Sequence, residues 1–254
     1  MTAGGQPDPA RARELEGRLR AVRARISSAA GTAGRGEPEL IVVTKYFPAS
    51  DVRTLAGLGV TDVGENRDQE AAAKAADLQD LGLNWHFIGQ LQTNKARSVV
   101  RYAHSVHSVD RLPLVTALGK AVGVEQERRA GAGLGPREDL RCFLQVTLDA
   151  GADPAQARSG RGGALPADVP ALAEACAATE GLRLAGVMAV APLGASPAEA
   201  FERLLHVSAA VRAVDPAAAA ISAGMSGDLE EAVAAGATHL RIGSDVLGPR
   251  PAVG

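Results

Sequence analysis

Cysteine is almost missing from this chain: Cys142 and Cys176 are the only two. They have no metal-ligand spacing and are too few for a disulfide framework, so they read as small core residues suited to a reducing compartment. No run of apolar residues approaches the ~18 of a membrane span. The opening Met1-Thr-Ala-Gly-Gly-Gln-Pro-Asp8 lacks the apolar core of a signal peptide. A large net charge of either sign is also lacking, with a net −2 and a pI near 6.2, which argues against nucleic acid or an acidic membrane as a partner. Lysine is rare, four residues against 23 arginines. What remains is expected to be soluble and cytoplasmic, and 254 residues are enough to bury a large core without disulfides.

What the chain does have is a recurring unit. Leu40, Ile41, Val42 and Val43 form an apolar run without polar alternation, which suggests a strand buried on both faces of a parallel sheet. Lys45 stands where that strand gives out and Pro48 closes it, a position where α/β proteins place their chemistry. Strand 40–45 leads to helix 49–58, capped by Ser50 or Asp51, and the pattern repeats as 62–65 with 67–81, 85–89 with 94–102, and 105–109 with 110–126. It continues as strand 141–148, a Gly- and Ala-rich loop 149–166 and helix 167–179, then 184–190 with 197–214, 220–223 with 228–235, and a last strand 238–242. Ser196 caps the helix that starts at Pro197. Ahead of the repeats, residues 1–8 are expected to be disordered, 9–30 form a helix with Leu15, Leu19, Val22 and Ile26 on one stripe, and 31–38 are a breaker-rich linker.

Eight alternating units predict one (β/α)8 TIM barrel over 9–248, with the N-terminal helix included and 249–254 as a tail. Losing strand 105–109 would leave too few strands and reopen a doubly wound sheet. Against that, Thr44-Lys-Tyr-Phe-Pro48 holds no glycine for a dinucleotide fingerprint.

The strand ends that converge on one face of such a barrel are Lys45, Gly64-Glu65-Asn66, His86, Gly89-Gln90, Met225-Ser226-Gly227-Asp228 and Arg241-Ile242-Gly243-Ser244. They form neither a metal cluster nor a nucleophile-base pair. The two small-residue turns follow strands seven and eight, where barrels hold phosphate, and they offer backbone N–H groups and hydroxyls. The plainer alternative is an ordinary N-cap at Ser226 and an ordinary turn at Gly243. In a chain that writes its cations as arginine, Lys45 suits Schiff-base chemistry, which arginine cannot perform; otherwise it snorkels to solvent. Lys95 is its rival on the same face, while Lys74 and Lys120 fall on outer helices. Arg241 either donates to a ring nitrogen or forms a structural salt bridge. His86, next to Trp85, reads as a packed core histidine.

Val43-Thr-Lys45 with Pro48, Gly64-Glu-Asn66, Trp85-His-Phe-Ile-Gly89 with Leu91-Gln-Thr-Asn-Lys95, Gly186-Val-Met-Ala-Val-Ala-Pro192, Gly224-Met-Ser226 with Asp228, and Arg241-Ile-Gly243 together resemble the pyridoxal 5′-phosphate (PLP) homeostasis protein family. The resemblance implies a fold-type III PLP-binding barrel like the N-terminal domain of alanine racemase. It implies Lys45 as the internal aldimine lysine, Ser226, Gly243 and Ser244 at the phosphate, Arg241 at the pyridine nitrogen and Asn66 near the ring, with His86 and Met225 as further neighbours. Ser244 stands where the family usually has threonine. Ala157-Arg158-Ser159-Gly160 stands where many members carry a lysine, and that lysine is absent here.

The same resemblance implies a monomeric carrier that holds PLP without strong catalysis and passes it to apo PLP-dependent enzymes. Racemases of this fold take a second base from an additional β domain, and only about six residues follow Gly248. A PLP-dependent racemase using water or His86 as that base remains one alternative. A Schiff-base aldolase-type barrel without cofactor is the other.

Overall fold

The computed structural model describes residues 8–149, 162–192 and 194–250. Eight parallel strands close into a barrel in chain order, β1 Glu39–Val43, β2 Asp62–Glu65, β3 Asn84–Phe87, β4 Ala103–Val109, β5 Leu140–Gln145, β6 Leu182–Met188, β7 Ala220–Ser222 and β8 His239–Ile242. The barrel expected from the alternating pattern is the one found, and β4 is seven residues long. Helices α1 Pro9–Ala33, α2 Ala49–Gly57, α3 Asp68–Asp77, α4 Ala96–Val100, α5 Leu112–Gly131, α6 Val169–Ala177, α7 Pro197–Val214, α8 Leu229–Ala234 and α9 Ser244–Leu247 surround it.

Two-residue periodicity sorts the side chains of each strand. In β1, Val42 packs in the large apolar cluster with the helices, while Ile41, registered with Arg241 of β8, faces the lumen. In β3, Trp85 and Phe87 join the outer cluster and His86 between them is buried inward. The lumen has only a small apolar cluster of its own, Phe143, Ala185 and Met188. The main core therefore lies between sheet and helices, and the barrel interior is largely polar.

Several boundaries move. Helix α1 runs three residues past the expected end because Gly34 supplies the left-handed cap (φ 61°) and not Gly31. Its start is set by Asp8, whose carboxylate accepts the Ala10 N–H at 3.0 Å, with Pro9 in the first turn. Neither Ser50 nor Asp51 caps α2: Pro48 holds the cap position without a side-chain bond. Asp51 instead accepts from Arg11 Nη2 at 2.8 Å, tying α1 to α2. Helix α9, between the last expected strand and the expected tail, went unforeseen. The Ser196 cap is present, accepting the Glu199 N–H at 3.5 Å. The segments 1–7 and 251–254 and the run Ala157-Arg158-Ser159-Gly160 lie outside the described residues.

Gly186 has φ 150°, and a Cβ there would overlap the Ala220 carbonyl oxygen of the neighbouring strand. Gly186→Ala should therefore destabilise the fold by about 3 kcal/mol or more. Gly123→Ala, on an exposed part of α5 with open space around it, should instead stabilise by about 0.5–1 kcal/mol. Urea denaturation of both variants measures the contrast; similar stabilities for the two would contradict it.

Candidate functional site

A cavity of about 330 Å³ opens at the C-terminal ends of β1, β7 and β8, and Lys45, Met225, Ser226, Arg241, Gly243 and Ser244 all line it. Sequence reasoning placed these six on one face, and the closed barrel brings them into one cavity. Asn66 and His86 do not line it. Lys95 ends a 3-10 turn and lines a separate groove with Asp68 and Arg101. Tyr46, Phe47, Ile88 and Arg250 line the cavity as well, and no residue-level signal pointed to them.

Lys45 is half-buried, and among the described residues its amine has no hydrogen bond or ion pair. The peptide groups on either side of it are bonded instead. Lys74 reaches inward from α3, and its Nζ donates to the Thr44 carbonyl at 2.9 Å, to Glu65 Oε1 at 2.7 Å and to Glu70 Oε1 at 2.7 Å. The Thr44 hydroxyl donates to Glu65 Oε1 at 2.7 Å, and Glu70 Oε1 accepts the Tyr46 N–H at 2.7 Å. Tyr46 sits at φ 72°, the single left-handed non-glycine among the described residues, a conformation costing about 1–3 kcal/mol. Glu70 and the cationic side chains of Arg67 and Arg250, 5.2 and 4.6 Å from the Tyr46 ring centroid, hold it there. Burial pushes the Glu65 carboxyl up, against the pull of Lys74. Lys74 does sit on an outer helix, but its side chain is only 8% exposed. The Glu70–Lys74 spacing of four, with the carboxylate first, was the signal available for it.

The turn after β7 is closed by Asp228, which accepts the Met225 N–H at 2.6 Å. That leaves the backbone N–H groups of Ser226 and Gly227 without acceptors among the described residues. Ser226 Oγ and Ser244 Oγ lie 3.2 Å apart, so the two turns form one cradle. A Cβ on Gly243, just past β8, would press within 3.3 Å of the Val43 carbonyl oxygen, a tight approach that glycine avoids. Arg25 of α1 braces both turns, donating to the Ser226 carbonyl at 3.2 Å and to Asp245 at 2.7 Å.

Arg241 is buried and, among the described residues, bonds only neutral acceptors, Ser222 Oγ at 2.6 Å and the Ala189 carbonyl at 2.8 Å. The expected alternative of a salt bridge to a neighbouring strand is not formed among the described residues. Burial brings its pKa down to about 10, so the guanidinium stays charged at neutral pH. Asn66 Oδ1 is buried without a partner among the described residues, and the Asn66 backbone packs where Gly89 has no Cβ. The described residues contain no group of acidic, histidine or cysteine side chains able to hold a metal.

An unpaired amine, a cradle of hydroxyls and free N–H groups, and a guanidinium facing the same 330 Å³ space define a (β/α)8 barrel suited to a small phosphorylated carbonyl compound. The chain belongs to the family described as alanine racemase, N-terminal domain, whose model matches residues 18–251. The pyridoxal phosphate homeostasis protein of Mycobacterium tuberculosis (strain H37Rv) is 44% identical over 263 residues, covering 98% of each chain. The protein of that name in Escherichia coli (strain K12) is 34% identical, covering 91% of this chain and 95% of its own. Among solved structures, PipY of Synechococcus elongatus with PLP bound superposes with a TM-score of 0.70 at 33% identity, covering 92% of this chain and 100% of its own. Alanine racemase of Corynebacterium glutamicum, at 15% identity and a TM-score of 0.63, shares the fold. The family expected from the motifs is the family found.

Removing Lys74 would leave the Glu65 carboxyl buried and uncompensated, so Lys74→Met should cost about 3–5 kcal/mol in urea denaturation. A loss below about 1 kcal/mol would mean the network is solvated and holds nothing. At the other barrel mouth, burial raises the Asp62 pKa, but bonds from His86, Thr61 and Asn84 outweigh it and bring the value to about 2. Its stabilisation is full above the ordinary value of 3.8 and lost as pH falls through about 2. Asp62→Asn should flatten the acid limb of the stability profile in that window; an unchanged limb would count against these bonds.

Proposed function

We propose that this protein binds PLP through a Schiff base to Lys45 and serves the intracellular homeostasis of that cofactor, holding it without strong catalysis. The observation that carries the proposal is the meeting of the unpaired Lys45 amine with Ser226, Gly243, Ser244 and Arg241 in one cavity. The names of the relatives and the PLP-bound PipY structure support it. When bound, PLP supplies an aldehyde that an amine can capture and a ring that withdraws electrons.

Ser226 and Ser244 hydroxyls with the Ser226 and Gly227 N–H groups would hold the phosphate, whereas Asn66 does not line the cavity and is given no part in it. Arg241, a donor only, would leave a pyridine nitrogen unprotonated and so keep the ring a weak electron sink. His86 is enclosed in the barrel lumen by Asp62, Ser105 and His107, which disfavours it as a base on a substrate. Carriage thus fits the residues better than racemisation. The protein would act in the cytoplasm as a monomer, with apo PLP-dependent enzymes as acceptors. No helix among the described residues is long and apolar enough to cross a membrane.

Borohydride reduction of the PLP-loaded protein followed by peptide mapping should place the label on Lys45, and Lys45→Ala should abolish it. Label on Lys95 or Lys74, or none, would overturn the assignment. Amino acids incubated with the loaded protein should exchange their α-protons with solvent at least about a hundredfold more slowly than with a racemase; comparable rates would overturn the carrier reading.

A further inference from the structure

The barrel lumen contains a row of polar groups that the cavity itself does not use. Asp62 Oδ1, at the N-terminal mouth, lies 2.9 Å from His86 Nε2. His86 Nδ1 lies 2.6 Å from Ser105 Oγ and 3.1 Å from His107 Nε2, and that nitrogen is 2.9 Å from Ser105 Oγ. His107 Nδ1 lies 2.9 Å from Ser222 Oγ. Strands β4 and β7 are not neighbours in the sheet, so this last link crosses the lumen. Ser222 Oγ then accepts from Arg241 Nη1 at 2.6 Å, and Arg241 lines the cavity. The row thus connects one mouth of the barrel to the other.

Elementary donor and acceptor counting fixes its direction. An ionised carboxylate only accepts, so His86 carries its proton on Nε2, and a neutral ring then offers Nδ1 as acceptor. Ser105 has a single hydroxyl proton and gives it to that nitrogen. His107 Nε2 now faces a serine oxygen with its proton already committed and a lone pair on His86, so it must be the N–H. Its Nδ1 is left as acceptor and takes the Ser222 proton. The lone pairs remaining on Ser222 face a guanidinium, which has nothing but donors. Every proton points from Arg241 towards Asp62. Neutral rings are what the surroundings favour: burial, then the nearby His86 and Arg241, push His107 well down, and burial lowers His86 despite Asp62.

We propose that Ser222, His107, Ser105 and His86 are positioning residues for Arg241, and that Asp62 at the far mouth sets the proton order that makes Ser222 a pure acceptor for it. This rests on the reading of Arg241 as a cofactor contact. Fully satisfied, such a network holds a buried cation in one place without a carboxylate to draw it aside.

The cofactor-free wild-type protein is the first test, through ring-nitrogen NMR at pH 7. Both His86 and His107 should be neutral Nε2–H tautomers; an Nδ1–H or cationic ring at either overturns the proton order. Next, Ser222→Ala should speed proton exchange at the Arg241 guanidinium and weaken PLP binding in fluorescence titration, each by about tenfold, the worth of one charge-assisted bond. Asp62→Leu should disturb the His86 tautomer and weaken binding by a smaller factor, while Asp62→Asn, which keeps an acceptor oxygen, should leave the tautomers in place. Unchanged exchange and affinity in Ser222→Ala would overturn the positioning role. A wild-type protein with the expected tautomers that takes up no PLP would instead overturn the cofactor reading, leaving the proton order standing.

Discussion

Closure of eight parallel strands divides every strand between a lumen and an outer layer, and no side chain can belong to both. Here the outer layer takes nearly all the apolar residues, so the helices are held on by a continuous hydrophobic cluster. The lumen is left to histidine, serine, arginine and a few apolar side chains. Polar groups in a closed space must bond to one another, and the residues there do so in a row that ends at Arg241. The same division lets Lys45 and Arg241 reach the C-terminal mouth while Thr44 and Glu65 turn away towards α3.

That outward turn is what places Lys45. Thr44 and Tyr46 flank it, and both are bonded into the network around the Lys74 ammonium. Holding the neighbours leaves the Lys45 amine without a partner of its own among the described residues, as the proposed Schiff base requires. The left-handed Tyr46 is the local cost of the arrangement, and strain of this kind gathers at sites of function. A second ammonium thus organises the first: Lys74 is consumed by carboxylates, and Lys45 is kept from them.

Helix α1 adds a further level. It precedes the barrel in sequence yet packs beside α8 and α9, and its arginines bond across them. Arg25 spans the two turns that follow β7 and β8, and Arg11 bonds the Leu247 carbonyl and Asp51. The spacing between the Ser226 and Ser244 hydroxyls therefore depends on a segment more than two hundred residues away in the chain.

Much of this was legible in the residues. Alternation of apolar runs with amphipathic stretches is local, so the strand count, the barrel and the face carrying Lys45, Ser226, Arg241, Gly243 and Ser244 could be read directly. Helix ends were less legible, because Gly31 and Gly34 look alike in sequence and only the chain path selects which adopts the left-handed cap. Lys74 read as a cation on an outer helix and Arg25 carried no signal, since Thr44 and Glu65, and Ser226 and Asp245, are contributed by other elements. Sequence by itself determined the period-two pattern that builds the barrel and the chemistry available at its strand ends. Tertiary structure alone decided which amine stays unpaired and which is bound by Glu65 and Glu70, and it alone joined Asp62 to Arg241, because hydrogen bonds across a lumen link residues that no local spacing relates.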